Sequence, residues 1–366
     1  MNQGYAKPRH VLRMNKVREV LKERNLDALF IQKPQNIFYL TGFRGDDSAA
    51  ILTKSSLWII TDTRYQAELE DVELPVRVVI TGKKSLFEHL LTIVSRVGVK
   101  NIGFEDDFIS YARGRNLMKR VNRVKWRAAF GIIESVRLIK DATEIKAIKK
   151  AICIAESSLV ESIQSIDIKG VTENSLAAIL ECRMRMNGAH GPSFPSIVAQ
   201  GAASAFPHAV PRNRKIGKGI ILIDFGARVE GYCSDLTRVF VSGKISRILK
   251  ERYRLVFEAQ QYAASLIKPG MSAADVDRRV RLFFKNHGVS QYVMHSLGHG
   301  IGLDVHEIPA LSLKNDMFFE KDMIFTIEPG LYFEGWGGLR LEDMYRVSET
   351  GCVRMSTLPQ EIIQIA

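Results

Sequence analysis

Four carboxylates, set two by two in segments of matching design, carry the strongest chemical signal in the chain. In ILIDFGARVEGYCSDLTRVFV, Asp224 and Asp235 lie in two apolar, β-branched runs joined by a short polar turn containing glycine. In FTIEPGLYFEGWGGLRLEDMY, Glu328 and Glu342 flank the Gly-rich turn Gly335-Trp336-Gly337-Gly338. Each segment reads as a β-hairpin. The midpoints of the two pairs, 229.5 and 335, fall in the turns, so each acid is predicted to lie roughly opposite its mate. Like charges opposed across a hairpin are destabilising, and burial raises the cost. Two such pairs call for something strongly positive between them, and a metal ion is the usual answer.

Histidines add nitrogen donors. VMHSLGHGIGLDVHE holds His295, His299 and His306, three of the eight histidines within twelve residues. His295 and His299 have the i, i+4 spacing of a zinc-protease helix, but Gly298, Gly300 and Gly302 disfavour helix and the Glu of HExxH is missing. A Gly-rich loop or irregular strand fits better. Four carboxylates with one imidazole make an oxygen-dominated site for Mn2+, Co2+ or Fe2+ rather than a thiolate zinc site. Five such ligands suit two ions about 3.5–4 Å apart, an arrangement that makes a nucleophile of water at neutral pH. Carbonyl hydrolysis is the natural reaction, and phosphoester hydrolysis uses similar sites.

The elements that must position these groups are legible in the patterning. Residues 1–135 read as α/β: a helix over about 11–25, the apolar run 28–31, strands in AAILTKSSLWIIT about a turn at 54–56, a strand at 76–81, a helix near 85–97 and a strand at 102–105. Asp141 with Glu144 forms an acidic capping box opening a helix with Ile145, Ile148, Ile152, Ala155, Leu159 and Ile163 on one face. Helices over 172–187, 246–267 and 273–287 and strands over 220–226, 232–241, 323–328 and 340–347 complete a second domain, 142–366.

Composition sets the class. With 366 residues, 46% hydrophobic and 25% charged, the chain is an ordinary globular protein long enough for two domains. No apolar run approaches a membrane span, and the N-terminus has charges where a signal peptide needs its apolar core, so a cytoplasmic location is expected. Cys153, Cys182, Cys233 and Cys352 lack disulfide or CxxC spacing and read as free, mostly buried thiols. The net charge of +12 is concentrated in residues 1–140, where 25 Lys/Arg face 15 Asp/Glu. Arg113, Arg115, Lys119, Arg120, Arg123, Lys125 and Arg127 form a run without acids. Few aromatics interleave with it and no nucleic-acid motif accompanies it, so it reads as a solvated helix face and not a nucleic-acid surface.

The motifs DFGA…GYCSDLTR, HSLGHGIGLDVHE, TIEPGLY and GGLRLED, with FPSIVAQGAASAFPH and NIFYLTGF upstream, resemble the pita-bread metallopeptidases, specifically the Xaa-Pro dipeptidases (prolidases) and aminopeptidase P. The likeness runs across nearly the whole chain. It implies an α/β N-terminal domain and an α+β pita-bread C-terminal domain whose curved sheet is mainly antiparallel. Asp235 and Glu342 would bridge two divalent ions, Mn2+ in the first instance with Co2+, Zn2+ or Fe2+ as alternatives. Asp224 would complete one ion, and His299 with Glu328 the other. Glu328 would shuttle the proton. His295 and His306 would bind substrate and stabilise the oxyanion. His208 would shape the proline side of the pocket. Arg340 and Tyr332 would contact substrate or support the metal shell from outside. Val239 and Lys321-Asp322-Met323 depart from the common pattern without replacing a ligand.

The expected activity is hydrolysis of the Xaa-Pro bond in dipeptides or short peptides by a homodimer, with the N-terminal domain and a second subunit restricting access. Aminopeptidase P acting on longer peptides is the alternative. Methionine aminopeptidase fits less well, because those enzymes usually lack so large a preceding domain. A catalytically dead, metal-free relative that binds protein or nucleic acid would have lost ligands, and so would a metal-free creatinase-type enzyme. Here all five are present.

Overall fold

The computed structural model describes residues 7–70, 76–167 and 170–365. It divides into two compact units, Met1–Arg137 and Leu138–Ala366.

The first unit opens with Lys7–Glu23 (α1), Ala28–Ile31 (β1), Pro34–Thr41 (α2), Ala49–Thr53 (β2) and Leu57–Asp62 (β3). Gln66–Glu70 (α3), Val76–Thr81 (β4), Leu86–Val97 (α4), Asn101–Phe104 (β5), Tyr111–Arg120 (α5), Lys125–Ala128 (β6) and Ile132–Arg137 (α6) follow. The strands form one mixed sheet in the order β4-β3-β2-β1-β5-β6. Its middle strands β1, β2 and β3 are almost wholly apolar and buried, as strands covered on both faces must be. The basic run divides among α5, the turn that holds Arg123 and the edge strand β6, and all seven charges are exposed. The helical reading therefore stops at Arg120; Lys125 and Arg127 instead charge a sheet edge that would otherwise invite strand addition.

The second unit begins with Ala142–Gln164 (α7), Glu173–Met186 (α8), Gly191–Pro192 (β7), Ile197–Gln200 (β8), Gly219–Phe225 (β9) and Ala227–Val229 (β10). Tyr232–Cys233 (β11), Leu236–Ser242 (β12), Arg247–Leu266 (α9), Ala273–Asn286 (α10), Gly298–Gly300 (β13) and Glu307–Leu311 (β14) come next. The chain ends with Ile324–Ile327 (β15), Gly330–Phe333 (β16), Gly337–Arg340 (β17), Asp343–Val347 (β18), Cys352–Arg354 (β19) and Ile363–Ile365 (β20). The capping box of α7 forms as its sequence dictates: Asp141 accepts from the Thr143 and Glu144 amides while Glu144 returns to the Asp141 amide. Its face Ile145, Ile148, Ile152, Ala155 and Leu159 is buried. The main sheets run β20-β12-β9-β8 and β14-β13-β15-β18-β19, and every pairing is antiparallel except β12 with β20. Helices α9 and α10 pack Val256, Ala259, Ala263, Val276 and Val280 onto the core that contains Val239, Phe325, Ile327 and Leu341. The cysteines are free, but Cys153 and Cys182 are exposed and only Cys233 is buried. The expectation of mostly buried thiols fails because those two occupy outward positions on α7 and α8.

Within the first unit, Glu105 is buried and accepts from the Gln32 and Lys33 amides and Asn36 Nδ2. Burial, with Glu134 nearby, pushes its carboxyl up to about 7 despite those donors. A folded-state pKa above the unfolded 4.5 means the native protein keeps a proton that the unfolded chain releases. That contribution to stability is present below about pH 4.5 and is lost as pH rises to about 7. The stability of wild type relative to Glu105→Gln, measured by denaturant unfolding, should therefore fall between pH 5 and pH 7.5 by roughly 1–3 kcal/mol. A gap that does not change with pH would contradict this.

Candidate metal centre

Asp224 is the next-to-last residue of β9 and Asp235 immediately precedes β12. Their register differs from the sequence expectation: Asp224 pairs with Thr237, not Asp235. The cause is the two-residue turn Glu230-Gly231, both residues at positive φ (52° and 91°), which sets Val229 opposite Tyr232. The hairpin is tight; a Cβ on Gly226 would lie 1.9 Å from Ser234 O. In the second segment the expected register holds. Pairings Ile327–Asp343 and Gly330–Arg340 bracket Glu328 and Glu342. The two hairpins join at Thr237, whose backbone bridges Glu342 and whose hydroxyl donates to Glu342 Oε2 at 2.7 Å.

The four acids gather in one buried cluster. Burial raises the carboxyl of Asp235 well above the usual range, and Glu342, Asp224 and Glu328 raise it further. Glu342 is raised likewise by burial, then by Glu328 and Asp224. Burial lifts Glu328 to about 7. Among the described residues, Oδ1 of Asp224 and Oδ1 of Asp235 are buried and find no hydrogen-bond partner.

His299 faces this cluster from β13. Its Nδ1 lies 3.0 Å from Gly300 O, an acceptor, so Nδ1 carries the proton and Nε2 presents a lone pair. That lone pair points toward Asp235 Oδ2 at 3.6 Å and Glu328 Oε1 at 3.5 Å. Burial, then His306, pushes the imidazole down to about 3, so protonation does not resolve the repulsion. Asp235, His299 and Glu342 offer ligand atoms within 4.8 Å of one another. Orphaned carboxylate oxygens and an inward lone pair fit divalent cations of hard or borderline character. The glycines place the ring: a Cβ on Gly298 would meet Thr326 O at 2.1 Å, and one on Gly300 would meet Ile308 O at 2.3 Å.

Arg340 is buried and its donors are committed. Nη2 donates to Asp224 Oδ2 (2.5 Å), Nε to Thr237 Oγ1 (2.9 Å), and Nη1 to the Tyr332 hydroxyl (2.9 Å) and Pro207 O (3.4 Å). Burial works against its charge, but Tyr332 and the surrounding acids hold its pKa well above normal. Having accepted from Arg340, Tyr332 donates to His295 Nε2 at 2.7 Å, while His295 Nδ1 donates to Ser296 O at 2.8 Å. Burial, then Arg340, lowers His295 to about 4. His306 is exposed, its ring 4.3 Å from that of His299. His208 is exposed beside Pro207, close enough to influence Asp224, His295 and His306.

Two supports escaped the sequence reading. One is the Thr237 hydroxyl. The other is Arg238, fully buried behind β12, which donates to Thr237 O, Glu342 O and Asp343 Oδ1. The motif DLTR contains both residues, but their partners lie more than a hundred positions away.

Residues 146–349 match a family model described as Metallopeptidase family M24, and residues 13–139 one described as Creatinase/Prolidase N-terminal domain. The chain is 34% identical over 355 residues to the Xaa-Pro dipeptidase of Pyrococcus furiosus, covering 96% of this chain and 99% of that protein. It is similar in structure to an Xaa-Pro dipeptidase from Bacillus anthracis, with TM-score 0.93, 32% identity and coverage of 97% and 100%. An X-Pro aminopeptidase from Thermotoga maritima superposes with TM-score 0.86 at 36% identity, over 94% and 99% of the two chains.

Thr237→Val keeps the shape of the side chain but removes the donor to Glu342 and the acceptor for Arg340. Divalent-metal affinity, measured by calorimetric titration of the apoprotein, should fall about 10- to 100-fold while the far-UV spectrum is preserved. Unchanged affinity would remove Thr237 from the site's support.

Proposed function

The chain belongs to metallopeptidase family M24, and from that membership we propose that it hydrolyses the bond before proline in Xaa-Pro dipeptides. The observation that carries the site is the buried cluster of four acids facing the unprotonated Nε2 of His299. Asp224, Asp235, His299, Glu328 and Glu342 would hold two divalent ions, Mn2+ first. Such a pair supplies a water acidified to near neutrality and a Lewis acid for the scissile carbonyl.

The remaining chemistry falls to side chains. Glu328, whose Oε1 lies 3.5 Å from His299 Nε2, would take a proton at a carboxylate oxygen and return it to the proline nitrogen. His306, exposed beside His299, is available to donate to the substrate carbonyl oxygen. His295 has both nitrogens occupied by Ser296 O and the Tyr332 hydroxyl, which supports a positioning role over direct oxyanion contact. The commitments of Arg340 and Tyr332 support the same for them. His208 would line the proline side. A cytoplasmic homodimer is the setting we assign.

Dipeptidase activity is favoured over aminopeptidase P by near full-length similarity to Xaa-Pro dipeptidases, although the Thermotoga maritima relative keeps the second reading in play. Chelated enzyme restored with Mn2+ or Co2+ should cleave Ala-Pro faster than Ala-Pro-Ala and leave Ala-Ala nearly untouched, by chromatographic assay of released proline. Faster cleavage of Ala-Pro-Ala would select the aminopeptidase. No metal-dependent cleavage of either would refute both.

A further inference from the structure

Lys140 and Glu307 form a buried ion pair that the chemistry above does not use. Their charged atoms are 3.2 Å apart and the side chains are 1% and 7% exposed. Glu307 pairs with Gly300, the residue after His299, where the β13–β14 register shifts. Its other oxygen accepts from the Asp304 amide at 3.1 Å and closes the turn 302–306, which ends at His306. The carboxylate rests against Gly302 so closely that a Cβ there would meet it at 2.7 Å. Gly302 O also accepts from the Cys233 amide at 2.8 Å, two residues before Asp235. Lys140 is fixed through its own backbone: its amide donates to Asp322 O at 3.1 Å, and Ile139 bridges Met323 at the entry to β15 and Glu328.

Asp322 reinforces that anchor. It sits at φ 70°, a left-handed conformation costly for a non-glycine residue, and Arg346 grips its carboxylate through Nε (2.8 Å) and Nη2 (2.5 Å). The departure at Lys321-Asp322 thus lies in the turn that holds Lys140.

We infer that Lys140 is a positioning residue which, through Glu307, locks the 302–306 turn and so aims His299 and His306 at the metal cluster. The inference rests on the metallopeptidase reading above. Buried pairs are commonly replaceable without loss of stability, so stability alone does not account for this one. Displacement of catalytic groups by about 1 Å can cost about 100-fold in rate.

The double variant Lys140→Met/Glu307→Gln removes both charges and keeps an acceptor for the Asp304 amide. Amide exchange across 302–307 in the Co2+-loaded protein should quicken about tenfold or more. The visible Co2+ spectrum should change, and kcat should drop about 10- to 100-fold with KM within about threefold. Should the double variant not fold, Gly302→Ala pushes on the carboxylate while keeping both charges, with the same expected readouts. Wild-type exchange, or faster exchange with unchanged kcat, overturns the inference; so does lost kcat with unchanged exchange. Failure of the peptidase reading is seen separately, as absence of proline-peptide cleavage by the wild type, while exchange and the Co2+ spectrum still report on the turn.

Discussion

Mutual repulsion among four buried carboxylates is the constraint around which the second unit is arranged. Asp224, Asp235, Glu328 and Glu342 share a site from which water is largely excluded, and every one of them is raised. Among the described residues, Arg340 reaches the cluster directly, through Asp224. With His299 neutral, fully ionised acids would leave a formal charge of −3 on this cluster. A single divalent ion leaves it negative. The proposed pair turns it slightly positive, which suits a centre that must attract a carbonyl oxygen or a carboxylate. Without cations the protein must protonate acids to fold, and the upward shifts express that.

Holding such a cluster requires backbone that cannot relax, and β12 shows how this is met. Its alternation sends the Thr237 hydroxyl to the side of the acid cluster, where it joins Glu342 to Arg340. Arg238 goes to the other side, where its guanidinium spans the carbonyls of Thr237 and Glu342 and pairs with Asp343. Asp343 is in turn held by Gln260, Ser356 and Gln360. The two acid-bearing hairpins are thus fastened from both faces by one dipeptide.

Much of this was legible in the residues. The second hairpin could be folded about Gly335 because a positive-φ glycine sits in its turn, and alternation with large apolar residues fixes the register. The first was misjudged because its turn places Glu230 in the left-handed region, where Asn or Asp would ordinarily announce such a turn. The shift has a benefit: Asp224 faces a hydroxyl-bearing residue instead of a carboxylate, and Asp235 is offset along the strand. The helix caps were readable for the opposite reason, since donor and acceptor lie three residues apart. Arg238 with Asp343, and Lys140 with Glu307, left no local trace; pairing across more than a hundred residues has no period.

The histidines mark where sequence must yield to geometry. Three imidazoles in twelve residues look alike as letters, yet each has a different free valence. Gly300 O takes the Nδ1 proton of His299, so its Nε2 must accept. Ser296 O and Tyr332 occupy both nitrogens of His295, a chain that runs through Arg340 to Asp224. His306 meets the His299 ring edge to face, at an interplanar angle of 68°, and is itself exposed. The glycines between them are what permit this division, because Gly298 and Gly300 let backbone carbonyls of neighbouring strands approach where a Cβ would stand. A side chain at either position would push β13 away from β14 or β15 and turn the His299 lone pair off the acids. The Gly-His-Gly spacing is therefore a requirement for strand contact first, and it aims the His299 lone pair at the acids because of it.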